Sequence, residues 1–302
     1  MTRREAAAMR QVETAAGTIE VQDTGGEGPT VVLLHGLLMD HTLWRDVVPD
    51  LERDHRCVLP VLPVGSHRIA MNPDADLSLH GLARIVAEVL ERLELDDVVL
   101  VGNDLGVAQI VAARHPERLG KLVLTSQEAF GNIPPGLPGK FAKLATRLPG
   151  GIAMAARSLR IRPLQRAPMT FGWMSNAPIP KDVVASWTVA PLSDAGVRRD
   201  VKRYATTPGL PAALTAAAEE LRAFDKPTLV AWSADDKVMP PEHGRRLAQM
   251  IPNARHTEIA NARTLVPLDQ PAEIARLIRE FAAEREGYSG STATIASRGI
   301  GA

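Results

Sequence analysis

Only one cysteine, Cys57, stands in the 302 residues, so no disulfide can form within the chain and the fold must rest on packing. Cys57 lies in the apolar run Cys57-Val58-Leu59 and reads as a small buried hydrophobe, not a thiol nucleophile. Aromatic residues are scarce, at 4%, which excludes a row of base-stacking platforms. An excess of one charge is also lacking: 35 Lys and Arg balance 35 Asp and Glu. Such a chain offers no global field for nucleic acid. No apolar run is long enough to span a bilayer. The basic residues of Met1-Thr2-Arg3-Arg4-Glu5 precede no apolar core, so no secretory signal is read there. Histidines and acids lack ligand spacing such as H-x-x-x-H, and no Gly-rich phosphate loop follows the first strand. The expectation is a cytoplasmic protein with no metal and no cofactor. Its expected partner is a small-molecule substrate, not nucleic acid or a membrane; a homodimer stays open.

What is present is a regular alternation. Gln11–Thr14 and Thr18–Gln22 suggest a hairpin around Ala16-Gly17. Thr30–Leu34 is a continuous apolar run, as in a strand buried on both faces. Thr42–Arg53 has helical spacing through Leu43, Val47, Val48 and Leu51, and Arg56–Leu62 reads as a strand. Leu79–Leu93 reads as a helix with Leu82, Ile85, Val86, Val89 and Leu90 inward. A strand to Leu100, a helix from Asp104 and a strand Lys121–Thr125 follow. The rhythm then breaks into short, proline-interrupted segments and resumes with Pro211–Phe224, Pro227–Trp232, Pro241–Met250, His256–Ile259 and Pro271–Glu284. This pattern predicts an α/β core from 1–130 and 211–285, with a mostly parallel sheet and helices on both faces. Residues 131–210 form an expected helical lid, and the Gly/Ser/Thr/Ala-rich 286–302 an expected disordered tail.

In such a sheet the active groups lie at the C-terminal ends of strands. Three ends carry chemistry. His35-Gly36-Leu37 follows Val31–Leu34. Gly102-Asn103-Asp104-Leu105-Gly106 sits between a strand and a helix, the setting of a nucleophile elbow, but with aspartate at its centre. Asp236 opens a D-x-x-x-P turn to Pro240 after the strand ending at Trp232. Together with Asp269-Gln270-Pro271 before the last helix, these motifs resemble the α/β-hydrolase fold superfamily over residues 10–284, closest to its Asp-nucleophile branch of haloalkane dehalogenases and epoxide hydrolases. The resemblance implies Asp104 as nucleophile, Asp236 as triad acid, and the Leu37 and Leu105 amides as oxyanion hole. It implies a structural role for His35.

It also exposes a gap. Registered on Gln270-Pro271, the triad histidine position falls on Thr264, and no histidine occurs after His256. Threonine does not titrate near neutrality, so an ester on Asp104 would lack its usual general base. Two readings of the remaining residues follow. His67, after the strand Arg56–Leu62, could reach the rim as a substitute base. Alternatively, Asp104 and Asp236 could face each other across Thr264 or a water, with one carboxyl raised in pKa. Halide-clamping ring donors are missing at Leu37 and Leu105, and Tyr204 alone lies near the lid where epoxide chemistry needs a pair. Trp173 and Trp187 are candidates for an apolar pocket. The leading expectation is a hydrolase of a small apolar organic molecule using Asp104. A lyase or isomerase with Asp104 as general base, and a ligand-binding pseudoenzyme, remain as alternatives.

Overall fold

The computed structural model describes residues 8–284, so the expected tail at 286–302 lies outside the described residues. Strands β1 (Ala8–Thr14) and β2 (Gly17–Asp23) form the N-terminal hairpin. They are followed by β3 (Thr30–Leu34), β4 (Arg56–Pro60), β5 (Val98–Asp104), β6 (Leu119–Gln127), β7 (Thr228–Ser233) and β8 (Ala254–Ile259). The eight strands lie in the order β1-β2-β4-β3-β5-β6-β7-β8. β2 runs antiparallel to β4, and every pair from β4 to β8 is parallel. The continuous apolar runs are explained by position: every residue of β5 and of β7 is buried, because helices cover both faces.

The helices are α1 (Val48–Leu51), α2 (Leu79–Arg92), α3 (Val107–Arg114), α4 (Gly136–Arg147), α5 (Gly151–Leu159), α6 (Arg162–Gln165), α7 (Lys181–Ser193), α8 (Ala195–Thr206), α9 (Leu210–Glu220), α10 (Pro241–Met250), α11 (Val266–Asp269) and α12 (Pro271–Ala283). Ser78 caps α2 by accepting from the Gly81 N–H, and the helix buries Leu82, Ile85, Val86, Val89 and Leu90. The single helix expected over Thr42–Arg53 is instead a 3₁₀ turn, His41–Trp44, followed by the one-turn α1. Pro49 has no N–H to bond back to the preceding turn, so a continuous helix cannot form. Helices α4 to α8 all fall between β6 and β7, and α9 packs back against α3. The insert therefore leaves the sheet at the C-terminal end of β6, the same edge at which β5 and β7 carry Asp104 and Asp236, and α9 returns the chain to the start of β7.

Candidate active site

β5 delivers Asp104 at the end of a fully buried strand, immediately before α3. Its backbone has φ +66, in the left-handed region that costs a non-glycine residue about 1 kcal/mol or more. Three bonds hold this conformation. The Glu128 N–H donates to the Asp104 carbonyl at 2.8 Å, the Leu105 N–H to the Asn103 carbonyl at 2.8 Å, and the Leu37 N–H to Asp104 Oδ2 at 2.9 Å. Glycine is required around the turn because neighbours press on it. A Cβ on Gly36 would collide with the Asp104 carboxyl, and one on Gly106 with Leu214.

Both amides expected in an oxyanion hole are thus engaged: Leu37 binds Asp104 itself, and Leu105 closes the turn onto Asn103. The pair is not an open two-donor hole here, because the short carboxylate of Asp104 reaches the Leu37 N–H directly. His35 is buried and braces the same loop. Its Nε2 accepts from the Leu62 N–H at 2.8 Å, while its Nδ1 faces the Gly36 carbonyl at 2.9 Å and donates to it. Burial pushes its imidazole down to about 4.

Asp236 follows β7. Its Oδ1 accepts from the Val238 N–H (2.8 Å), the Met239 N–H (2.8 Å) and the Thr264 hydroxyl (2.9 Å). Its Oδ2 is buried with no hydrogen-bond partner. That free oxygen keeps its full acceptor capacity, whereas the other already carries three donors. Asn103 ties the strand ends together, donating through Nδ2 to the Thr264 carbonyl (2.8 Å) and the Thr125 hydroxyl (2.7 Å). Thr264 and Asp236 are thereby neighbours at the ends of the strands.

Burial, opposed by the Leu37 amide and reinforced by the Asp236 charge, pushes the Asp104 carboxyl up to about 7. Burial likewise lifts Asp236 to about 6, against its bonds from Met239, Val238 and Thr264. A third carboxyl, unsuspected from sequence, completes the group. Glu128 directly follows β6, is buried, and receives the Tyr204 hydroxyl at 3.4 Å. Burial and the Asp104 charge raise it well above the ordinary carboxylate range. Tyr204 is itself raised, chiefly by burial, and stays protonated. The available signal was an acid directly after the strand Leu119–Gln127, which no motif marks.

These groups meet a cavity of about 450 Å³, the size of a small-molecule site. Asp104, Leu105 and Glu128 line it from the sheet side, and Phe141, Met174 and Tyr204 from the insert. Asp236 and Thr264 are buried and not in its lining. Among the described residues no histidine lines it.

Trp173, Trp187 and His67, expected as pocket residues, do not line the cavity either. Trp187 is buried, donating to the Thr42 hydroxyl at 3.0 Å and meeting Phe171 edge-on at 5.4 Å. A large indole gains more from such packing than from an open wall. Trp173 is half-buried against the core. His67 is fixed by the buried Asp200, 3.3 Å from its Nε2, and by the Gly65 N–H, which donates to its Nδ1 at 3.3 Å. It is therefore no substitute base. Among the described residues, no group of three His, Cys, Asp or Glu could hold a metal ion, and no helix is long and apolar enough to cross a membrane.

A parallel sheet with an Asp-centred elbow, an acid after β7 and a helical insert after β6 defines a class. Residues 29–271 match the alpha/beta hydrolase fold family, and the chain belongs to it as an enzyme of the hydrolase kind. Relatives refine the picture. The chain is 31% identical over 252 residues to the 2-hydroxy-6-oxononadienedioate/2-hydroxy-6-oxononatrienedioate hydrolase of Cupriavidus pinatubonensis, covering 78% of this chain and 81% of that one. A haloalkane dehalogenase of Mesorhizobium japonicum is 32% identical over 111 residues, 36% of this chain and 35% of that one. Among solved structures, a thermophilic esterase from Thermogutta terrifontis superposes with TM-score 0.69 at 26% identity, over 91% of this chain and 98% of the other.

Proposed function

We propose that this enzyme hydrolyses a small, mostly apolar carbonyl compound, an ester or an activated ketone, with Asp104 as general base and not as a histidine-assisted covalent nucleophile. The observation that carries this reading is a buried carboxyl on the cavity wall, raised to about 7, with no imidazole in the lining among the described residues. A base of that strength both accepts and returns a proton near neutrality. The relatives named for an oxononadienedioate hydrolase and an esterase support the carbonyl substrate class.

Leu37 holds Oδ2 of Asp104, so Oδ1 takes a proton from water as the water oxygen attacks the carbonyl carbon. The carbonyl electron pair moves to oxygen, towards which the protonated Tyr204 hydroxyl, in the same lining, turns its one hydrogen from Glu128. Collapse of the adduct breaks the bond to the leaving group, which takes its proton from neutral Glu128. The proton on Asp104 then returns to Glu128, and both carboxyls are reset. The insert, with Phe141 and Met174 over the site, acts as the lid that keeps the cavity apolar.

Single turnover in H₂¹⁸O tests this assignment. After a screen of short esters and activated ketones, solvent oxygen is expected in the acid product of the first turnover, with the Asp104 peptide unlabelled. Asp104→Asn should lower kcat about 10²–10⁴-fold. Label in the Asp104 carboxyl with none in the first product would establish the covalent route instead.

A further inference from the structure

The insert has a composition unlike the rest of the chain. From Phe130 through Lys181 there are eight Lys and Arg and no Asp or Glu, in a chain whose total charge is zero. All eight cations are exposed, and none lies within salt-bridge distance of a carboxylate among the described residues. The same segment holds seven of the nine exposed large hydrophobic residues described, all between Leu137 and Met169. Two unusual features, unpaired positive charge and exposed aliphatic side chains, therefore coincide on one part of the surface.

Helix α4 shows how they are combined. Its inner side, with Pro138, Phe141 and Ala145, lines the cavity. Its outer side runs Leu137, Lys140 and Leu144, at three- and four-residue steps, and continues just past the helix end in Leu148; every one of these is exposed. A helix that is apolar on both sides has a second apolar phase to satisfy. Lys143, Arg147 and Met169 are exposed and also line the cavity, so they form its rim. The mouth thus opens on the basic, aliphatic face.

We infer that this face docks on an anionic lipid bilayer, with the cavity mouth turned to the surface from which an apolar substrate would enter. Lys and Arg interspersed with Leu, Ile and Met is the chemistry of a surface that lies in the headgroup region of such a membrane. Protein interfaces centre on aromatic anchors. The exposed large hydrophobics of this face are Leu, Ile and Met alone. This revises the sequence-based expectation that no membrane takes part, and it requires no spanning helix.

Flotation with phosphatidylcholine vesicles, with and without one-third phosphatidylglycerol, tests the inference on the full chain. The protein should float only with the anionic vesicles at physiological ionic strength, and added salt should weaken the association. The variant K140E/R157E/R162E should partition about 100-fold or more weakly, at roughly fivefold per cation removed. The variant L144S/M154S/L164S should also lose binding. All six positions are exposed and outside the cavity lining, so folding and turnover of a soluble substrate should persist. Folded protein that stays with the soluble fraction overturns the inference, as does equal binding to neutral vesicles or undiminished binding by the charge-reversed variant. Self-association through this face without vesicle binding also overturns it. Binding is read without substrate, so it stands or falls separately from the assignment of Asp104.

Discussion

Replacing Asp104 by asparagine removes a titrating proton while keeping the side-chain size and an oxygen for the Leu37 N–H. Burial raises this carboxyl from 3.8 to about 7, so the folded state holds its proton across an interval in which the unfolded chain has released it. The group's contribution to stability is therefore greatest below pH about 4 and is lost as pH rises towards 7. A shift of about three units corresponds to about 4 kcal/mol at pH 8, and to about 2 kcal/mol at pH 5, where only part of the interval has been crossed. The neutral amide carries no such penalty. The variant should thus lose most of its activity yet be more stable than the parent, by up to about 4 kcal/mol or roughly 6 °C in Tm at pH 8, with the gap narrowing by about half at pH 5. Urea denaturation of both proteins at the two pH values measures this directly. A gap that does not change with pH, or a variant less stable than the parent at pH 8, would refute the claim that the ionised Asp104 is strained by its burial. The same perturbation exchanges activity for stability, as expected where a charged group is held in an apolar wall for chemistry.

Two further perturbations probe the turn and the missing imidazole. Gly36→Ala places a methyl group against the Asp104 carboxyl, so it should displace that group, abolish turnover and cost about 1–3 kcal/mol in thermal denaturation. Thr264→His removes a hydroxyl bond to Asp236 and crowds a fully buried site, so turnover should fall or stay unchanged in steady-state assays; a rate increase would favour a covalent ester on Asp104.

Much of the core was legible because its signals are local. Apolar runs of about four residues marked β3, β5 and β7, and glycines on either side of Asp104 marked a turn that only small neighbours permit. The pairing of Thr264 with Asp236 was readable because Gln270-Pro271 fixes the start of α12 and hence the loop before it. Glu128 escaped notice because a single acid at a strand end has no spacing pattern; its meaning comes from Asp104 and Tyr204, both distant in sequence or on other elements. The pocket wall escaped for a related reason. Which aromatic of the insert faces the cavity depends on how short helices pack, and Trp187 was drawn into the core by Phe171 and the Thr42 hydroxyl while Phe141 took the wall. The helix misread across Pro49 was a matter of one missing donor, visible in the sequence but outweighed by the apolar spacing.

His35 gives the enzyme a silent scaffold. Its ring joins the start of the Leu37 loop to Leu62 by two hydrogen bonds, and at about 4 its titration lies well below the range in which Asp104 and Asp236 change charge. Because its folded value is below the unfolded one of 6.5, the support it gives is complete above that pH and is lost as pH falls towards 4. Across neutral and alkaline conditions the loop is thus mechanically constant. A curve of rate against pH between 6 and 9 then reports the buried carboxyls Asp104 and Asp236, uncontaminated by movement of the amide that holds Asp104.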